Sequence, residues 1–284
     1  VVEKPIKARS PEELWCTEEG EVLRLPGEKS VFDLNRDYSK NLAKERTKFA
    51  GLKPEAARAI VRKISTIRAS KDLPKLEFGK LDSINENNLK IVRGFFRSKN
   101  SYPLATVAYL PAKTTKNPIL LLNGDGAAKG HERALDLSKA GHAVISVELA
   151  STGETRGTRF SEQFGGWKNF YMAYLLGRSL VALRAENILR LALDLDESNL
   201  VPKGSKIDVL AIGDAAVPAL HAVSLEPSLF NKLQLVDRRK SWVSLLEENQ
   251  PKRCFEDVIH GALKAYDLPG LERLCGKRLV SSKE

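Results

Sequence analysis

The segment NPILLLNGDG, residues 117–126, limits the fold more than any other part of the chain. It is a short, unbroken apolar run that ends in a glycine-rich turn. A strand without polar alternation is buried on both faces, and that happens mainly in parallel sheets covered by crossover helices. HAVISVELA, SKIDVLAIGD and FNKLQLVD repeat the pattern further on. The stretches between them have helical periodicity: ERALDLSKAG closes at a glycine, FYMAYLLGRSLVALRAENILRLALDL reads as one long helix, and VPALHAVSLEP as another. Strands alternating with helices at this spacing predict βαβ units, hence an α/β fold with a mostly parallel central sheet and helices on both faces. LKIVRGFFRS and YPLATVAYLP precede these units as two β-rich runs split by the polar turn SKNS, and KRLVSS is a last strand-like piece.

The first 74 residues have a different character and are expected to form an N-terminal strap on a domain of residues 75–284. LWCT and EVLRL flank the polar turn EEGE, which predicts a small hairpin. Residues 37–70 are expected to be helical, with Ala57, Ile60, Val61 and Ile64 on one face of PEAARAIVRKISTIR. The chain has 284 residues, 42% hydrophobic and 29% charged, which is enough apolar material for a sizeable core. No apolar run approaches the roughly 18 residues of a membrane span, so no membrane partner is expected. The formal charge of +10 is spread over Lys and Arg residues interleaved with Asp and Glu, which describes a solvated surface and gives no expectation of nucleic acid. Cys16, Cys254 and Cys275 lack C-x-x-C spacing, and His131, His142, His221 and His260 contain no H-x-x-x-H pair, so neither metal nor cofactor is expected.

Ligands of open α/β sheets bind beyond the carboxyl ends of the strands, which directs attention to the turns there. NGDGAAKG is neither a P-loop nor a clean G-x-G-x-x-G, because Lys129 stands where the third small residue belongs. The alternative is a loop whose N–H groups stabilise an oxyanion, with Asn123, Gly124 and Asp125 as candidates and Ala216 as the donor from the next turn. In ELASTGET, Glu148 and Glu154 are pocket candidates, and Glu148 is equally readable as an acceptor for backbone amides. VLAIGDAAVPALHAVSLEP reads as strand, turn and helix, the setting of a G-x-S-x-G nucleophile. Framed on Gly213, the motif becomes Gly213-Asp214-Ala215-Ala216-Val217, with Ala215 at the nucleophile position. Asp214 reads as a turn or cap residue and a pocket candidate, His221 as a core histidine, and His260 as a late pocket candidate.

Taken in order, YPLATVAYLP, NPILLLNGDG, AGHAVISVELASTGET, YLLGRSLVALRAENILRLALDL and IGDAAVPALHAVSLEP make residues 75–284 resemble the acetyl xylan esterase-like, carbohydrate-esterase branch of the α/β-hydrolases. The most specific parts are GRS-x₄-R (Gly177, Arg178, Ser179, Arg184) and GALKAYDLPGL. The opening LWCTEEGEVL resembles a linker of larger members, in which two hydrolase-like domains stand in tandem and the second is often degenerate. The resemblance implies an α/β-hydrolase fold, a serine at 215 where this chain has Ala, a glycine at 217 where it has Val, and an acid and a histidine near the carboxyl end. It also implies acylated polysaccharide or a second hydrolase domain of the same protein as partner, and an extracytoplasmic location. The resulting expectation is a catalytically silent hydrolase-fold domain. An active polysaccharide deacylase seen as a Ser-to-Ala variant, and a basic polysaccharide-binding module, are the alternatives.

Overall fold

The computed structural model describes residues 7–86, 88–99, 101–156, 167–248 and 255–280. The chain divides into two compact units, 1–41 and 42–284. In the first, the described residues form two short 3-10 turns, Glu12–Leu14 and Val22–Arg24, and helix α1, Val31–Asn41. LWCT and EVLRL therefore form turns and extended links, and the expected hairpin is absent among the described residues. Helix α1 starts with reciprocal capping: Ser30 N–H donates to Asp33 Oδ2 at 2.9 Å and Asp33 N–H to Ser30 Oγ at 3.2 Å.

The larger unit begins well before residue 75. Helices α2 (Ala43–Ala50) and α3 (Pro54–Ser65) carry Phe49, Ala57 and Val61 into the main core. A strap that supplies core residues is part of the domain, and for that reason the division falls at 41/42 and not at 74/75. Pro54 occupies the first turn of α3, where its missing N–H costs nothing, and Thr66 ends the helix in the left-handed region.

An eight-stranded sheet follows: β1 (Glu77–Glu86), β2 (Leu89–Arg97), β3 (Leu104–Pro111), β4 (Ile119–Asn123), β5 (Val144–Val147), β6 (Ile207–Ile212), β7 (Phe230–Val236) and β8 (Leu279–Val280). Their spatial order is β1-β2-β3-β5-β4-β6-β7-β8. Pairings from β1 to β5 are antiparallel, and those from β5 to β8 are parallel. The apolar runs behave as their composition requires. Leu120, Leu122, Val209 and Ala211 face a core shared with α6 (Leu180–Asp194), α7 (Ala216–Leu225) and the late helix Leu268–Cys275. Ile119, Leu121 and Leu210 face the other way, onto α4 (His131–Lys139). Helices thus cover both faces. No helix among the described residues is long and apolar enough to cross a membrane.

The expected long helix around residues 170–195 is two helices, α5 (Trp167–Leu175) and α6. Gly177 takes φ +68°, Arg178 N–H returns to Ala173 O at 2.8 Å, and Ser179 caps α6 by accepting from Ala182 N–H at 3.0 Å. The apolar periodicity runs through LLGRS, but a glycine stop followed by a serine start outweighs it.

His221 on α7 is fully enclosed. Its Nδ1–H donates to Val217 O at 2.8 Å, which leaves Nε2 to accept from the Tyr266 hydroxyl at 3.1 Å. Burial holds this imidazole well below its ordinary 6.5, at about 4, against the raising effect of the Val217 carbonyl. Between those values the unfolded chain binds a proton that the folded chain refuses, so stability is full above 6.5 and declines as pH falls toward 4. Denaturant unfolding at pH 7 and pH 5 should show a loss of roughly 2 kcal/mol from this group. The same comparison on His221→Phe should lack that part of the slope, and an unchanged slope would refute the assignment.

Candidate functional site

Strand β6 delivers the chain at Ile212 to a tight turn. Gly213 adopts φ +61°, residues 213–215 make one 3-10 turn, and α7 begins at Ala216. A nucleophile elbow places its reactive residue at such a strained strand-to-helix apex. The apex here is Gly213, flanked at two residues on either side by Ala211 and Ala215. Ala215 has helical angles of φ −83° and ψ −13° and is 0% exposed within the main core. The apex of the turn therefore lies two residues earlier than the sequence frame places it. That frame took the first glycine of GDAAV as the leading small residue, whereas Ala211 fills that role and the glycine is itself the apex. A Cβ built on Gly213 meets nothing within 4 Å.

The loop after β4 packs directly on this turn. A Cβ on Gly124 would stand 2.5 Å from the Asp214 backbone nitrogen. The loop's own amides are engaged: Gly124 N–H donates to Ile212 O at 2.9 Å, Asp125 N–H to Asn123 Oδ1 at 2.9 Å and Gly126 N–H to Asn123 O at 3.0 Å. Ala216 N–H closes the 3-10 turn on Gly213 O. The residues expected to form an oxyanion hole, Asn123, Gly124, Asp125 and Ala216, thus spend these donors on holding the loop and the turn in shape.

Arg156 ties the two segments together. Its guanidinium donates to Gly124 O at 2.6 Å, Asp125 Oδ1 at 3.0 Å, Asp214 Oδ2 at 3.3 Å and Glu256 Oε2 at 3.1 Å. Asp214 pairs with this arginine and does not cap α7, whose N-cap residue makes no side-chain bond. Behind it, Arg184 is 0% exposed, donates to Ala150 O at 2.8 Å and Ser151 O at 3.0 Å, and lies 3.6 Å from the Glu256 carboxylate. Glu148 is an internal brace: its carboxylate accepts from Ala127 N–H at 3.3 Å and Glu154 N–H at 3.2 Å, and burial raises its pKa. Glu154 takes part only through its backbone, with its side chain exposed. Gly153 is required where it stands, because a Cβ there would come within 2.1 Å of Glu148 Oε1.

A cleft of about 620 Å³ opens over Gly213, Asp125 and Asp214 on one side and the segment after β7, Asp237–Lys240, on the other. Arg239 donates to Asp257 Oδ2 at 2.7 Å, and burial lifts the Asp257 carboxyl to about 6 against that pairing. None of the four histidines lines this cleft among the described residues. His260 instead lines a separate cleft with Tyr174, whose ring centroid lies 4.3 Å from its own. His131 meets the Tyr109 hydroxyl at 2.9 Å, and His142 donates to Asn117 O at 2.7 Å. Cys254 lies outside the described residues. Arg156, Arg239, Glu256 and Asp257 escaped the sequence reading. Their partners are up to 100 positions away, and the sole local sign is an acidic pair inside the apolar run of FEDVI.

Two alanine substitutions separate the roles of the glycines. Gly213→Ala should lose only the cost of a left-handed non-glycine residue, about 1–2 kcal/mol. Gly124→Ala drives a Cβ into backbone and should lose more, about 3 kcal/mol, despite its ordinary φ. Urea midpoints of the two variants measure the order, and its reversal would contradict the packing described.

No family model matches the sequence, and no curated protein matches it. Among solved structures, a Bacteroides fragilis protein assigned as an acetyl xylan esterase superposes with a TM-score of 0.69 at 12% identity, covering 96% of this chain and 79% of its own. A methylesterase superposes with a TM-score of 0.56 at 14% identity, over 88% of this chain and 54% of its own. At these identities the likeness speaks for architecture alone. The chain has the α/β-hydrolase fold.

Proposed function

We propose that this chain is a catalytically silent α/β-hydrolase-fold domain of a carbohydrate-esterase-like protein, which binds polysaccharide or supports an active partner domain. The observation that carries this reading is the apex of the elbow. Gly213 sits where a nucleophile belongs and has no side chain to attack with. Acyl transfer also needs a base within hydrogen-bond reach of the nucleophile and donors aimed at the developing oxyanion. The engaged amides of residues 124–126 and the absence of a histidine from the described lining of the cleft support the same reading.

The reading of Ala215 as a substituted serine draws no support from the geometry. A hydroxyl at that buried, helical position would face the core and meet no cleft. The basic-module reading rests on total charge alone, and the basic residues are dispersed along the sequence.

Acetate release from p-nitrophenyl acetate and from acetylated xylan should not exceed the uncatalysed rate with this chain. Gly213→Ser alone should remain inactive as well, since no histidine among the described residues lines the cleft to serve as its base. Robust turnover by the unsubstituted chain would sink the proposal.

A further inference from the structure

Two helix faces of this chain carry large apolar side chains that nothing covers. On α1, Val31, Leu34 and Tyr38 recur at i, i+3 and i+7, which sets them in one stripe, and they are between 53% and 70% exposed. Ser39 is the sole buried residue among the described residues of 1–41, so this segment offers its apolar side chains no core of its own. On α5, Tyr171, Met172 and Leu175 share a face opposite the buried Phe170 and Ala173, and they are between 44% and 77% exposed. Apolar side chains scattered singly need no cover, but grouped on a helix face they mark a contact.

Charge and area decide what makes that contact. Residues 1–41 hold two more acidic than basic side chains, whereas residues 42–284 hold twelve more basic than acidic ones. The only charge on α5 is Lys168, exposed on the same face as Leu175. The acidic segment of one copy is therefore complementary to the basic unit of another. Pairing α1 with α1 would set two acidic segments together and leave α5 bare. At about 200 Å² for a large side chain, one contact of α1 with α5 buries roughly 700 Å², short of the ~1,000 Å² of a stable interface. Two such contacts bury roughly 1,400 Å², inside the range of about 1,200–2,000 Å² for specific complexes.

We infer that two copies of this chain form a reciprocal dimer, in which α1 of each copy seats Val31, Leu34 and Tyr38 on the Tyr171, Met172 and Leu175 face of α5 in the other. Reciprocity closes the assembly at two copies, whereas a one-way contact would run on as an open chain.

Sedimentation velocity of the intact chain at about 10 μM tests this and should show a dimer. Leu34→Glu on α1 and Leu175→Glu on α5 each place a charge in both contacts, and each should raise the dissociation constant by about a hundredfold. Both positions are exposed, so far-ultraviolet circular dichroism should be unchanged. Should either variant lose its fold, Tyr38→Ser and Met172→Ser replace them on the same faces, with a loss of about tenfold. Mixing the two glutamate variants keeps one intact contact, α1 of the Leu175→Glu chain on α5 of the Leu34→Glu chain. A broken contact cannot be broken twice, so the mixture should associate about tenfold more tightly than either variant alone. A monomer at that concentration, a dimer indifferent to either substitution, or a mixture no tighter than its components would each overturn the inference. Loss in Leu34→Glu with Leu175→Glu unaffected would assign the contact to α1 against α1 and overturn it likewise.

Discussion

The architecture around the elbow depends on one buried carboxylate. Glu256 is 1% exposed and is held between the guanidinium groups of Arg156 and Arg184. Burying any one of these charges alone would be prohibitive, and removing one partner of such a set costs about 3–5 kcal/mol because the remainder is stranded. Each guanidinium also donates to the chain around it. Arg184 takes the carbonyls of Ala150 and Ser151 after β5, and Arg156 takes the carbonyl of Gly124 after β4 and the carboxylate of Asp214 after β6. The ends of three strands and the late segment carrying Glu256 are therefore fixed by one electrostatic cluster. The cluster gives positional definition more than net stability, since a buried ion set roughly offsets its own desolvation.

That cluster explains how the turn persists without a nucleophile. In an active elbow, strain at the apex is tolerated because the surrounding structure over-determines it. Here the sheet, the close Gly124–Asp214 contact and the Arg156 clamp supply the over-determination, while glycine removes most of the strain. Fold and chemistry are separable in this way because the sheet needs only small residues at the turn, whereas catalysis needs particular atoms there.

The sequence revealed whatever depends on local pattern. ILLLN, HAVISV and IDVLAI announced strands buried on both faces, and their order disclosed the family of architecture. Three features stayed hidden for definite reasons. LLGRS was read through its apolar period, although Gly177 and Ser179 are a stop and a start. The elbow was framed from its glycine, and only the backbone angle shows that the glycine is the apex. The Arg156–Glu256 and Arg239–Asp257 pairs join loops distant in sequence, and no spacing rule connects residues that meet only after the sheet has formed. GRS-x₄-R serves structure: Ser179 caps a helix, Arg178 pairs with Glu186, and Arg184 braces the buried carboxylate.

The bare apex and the state of the neighbouring loop belong together. Amides left unspent beside a closed turn are a standing cost to the folded state, and this loop avoids that cost by satisfying its groups internally. Asn123 does so with its side chain on Asp125 N–H, and Arg156 does so on the carbonyl side at Gly124. Both contacts tighten the junction of loop and elbow, and each removes an unpaired polar group at the place where two strand ends meet.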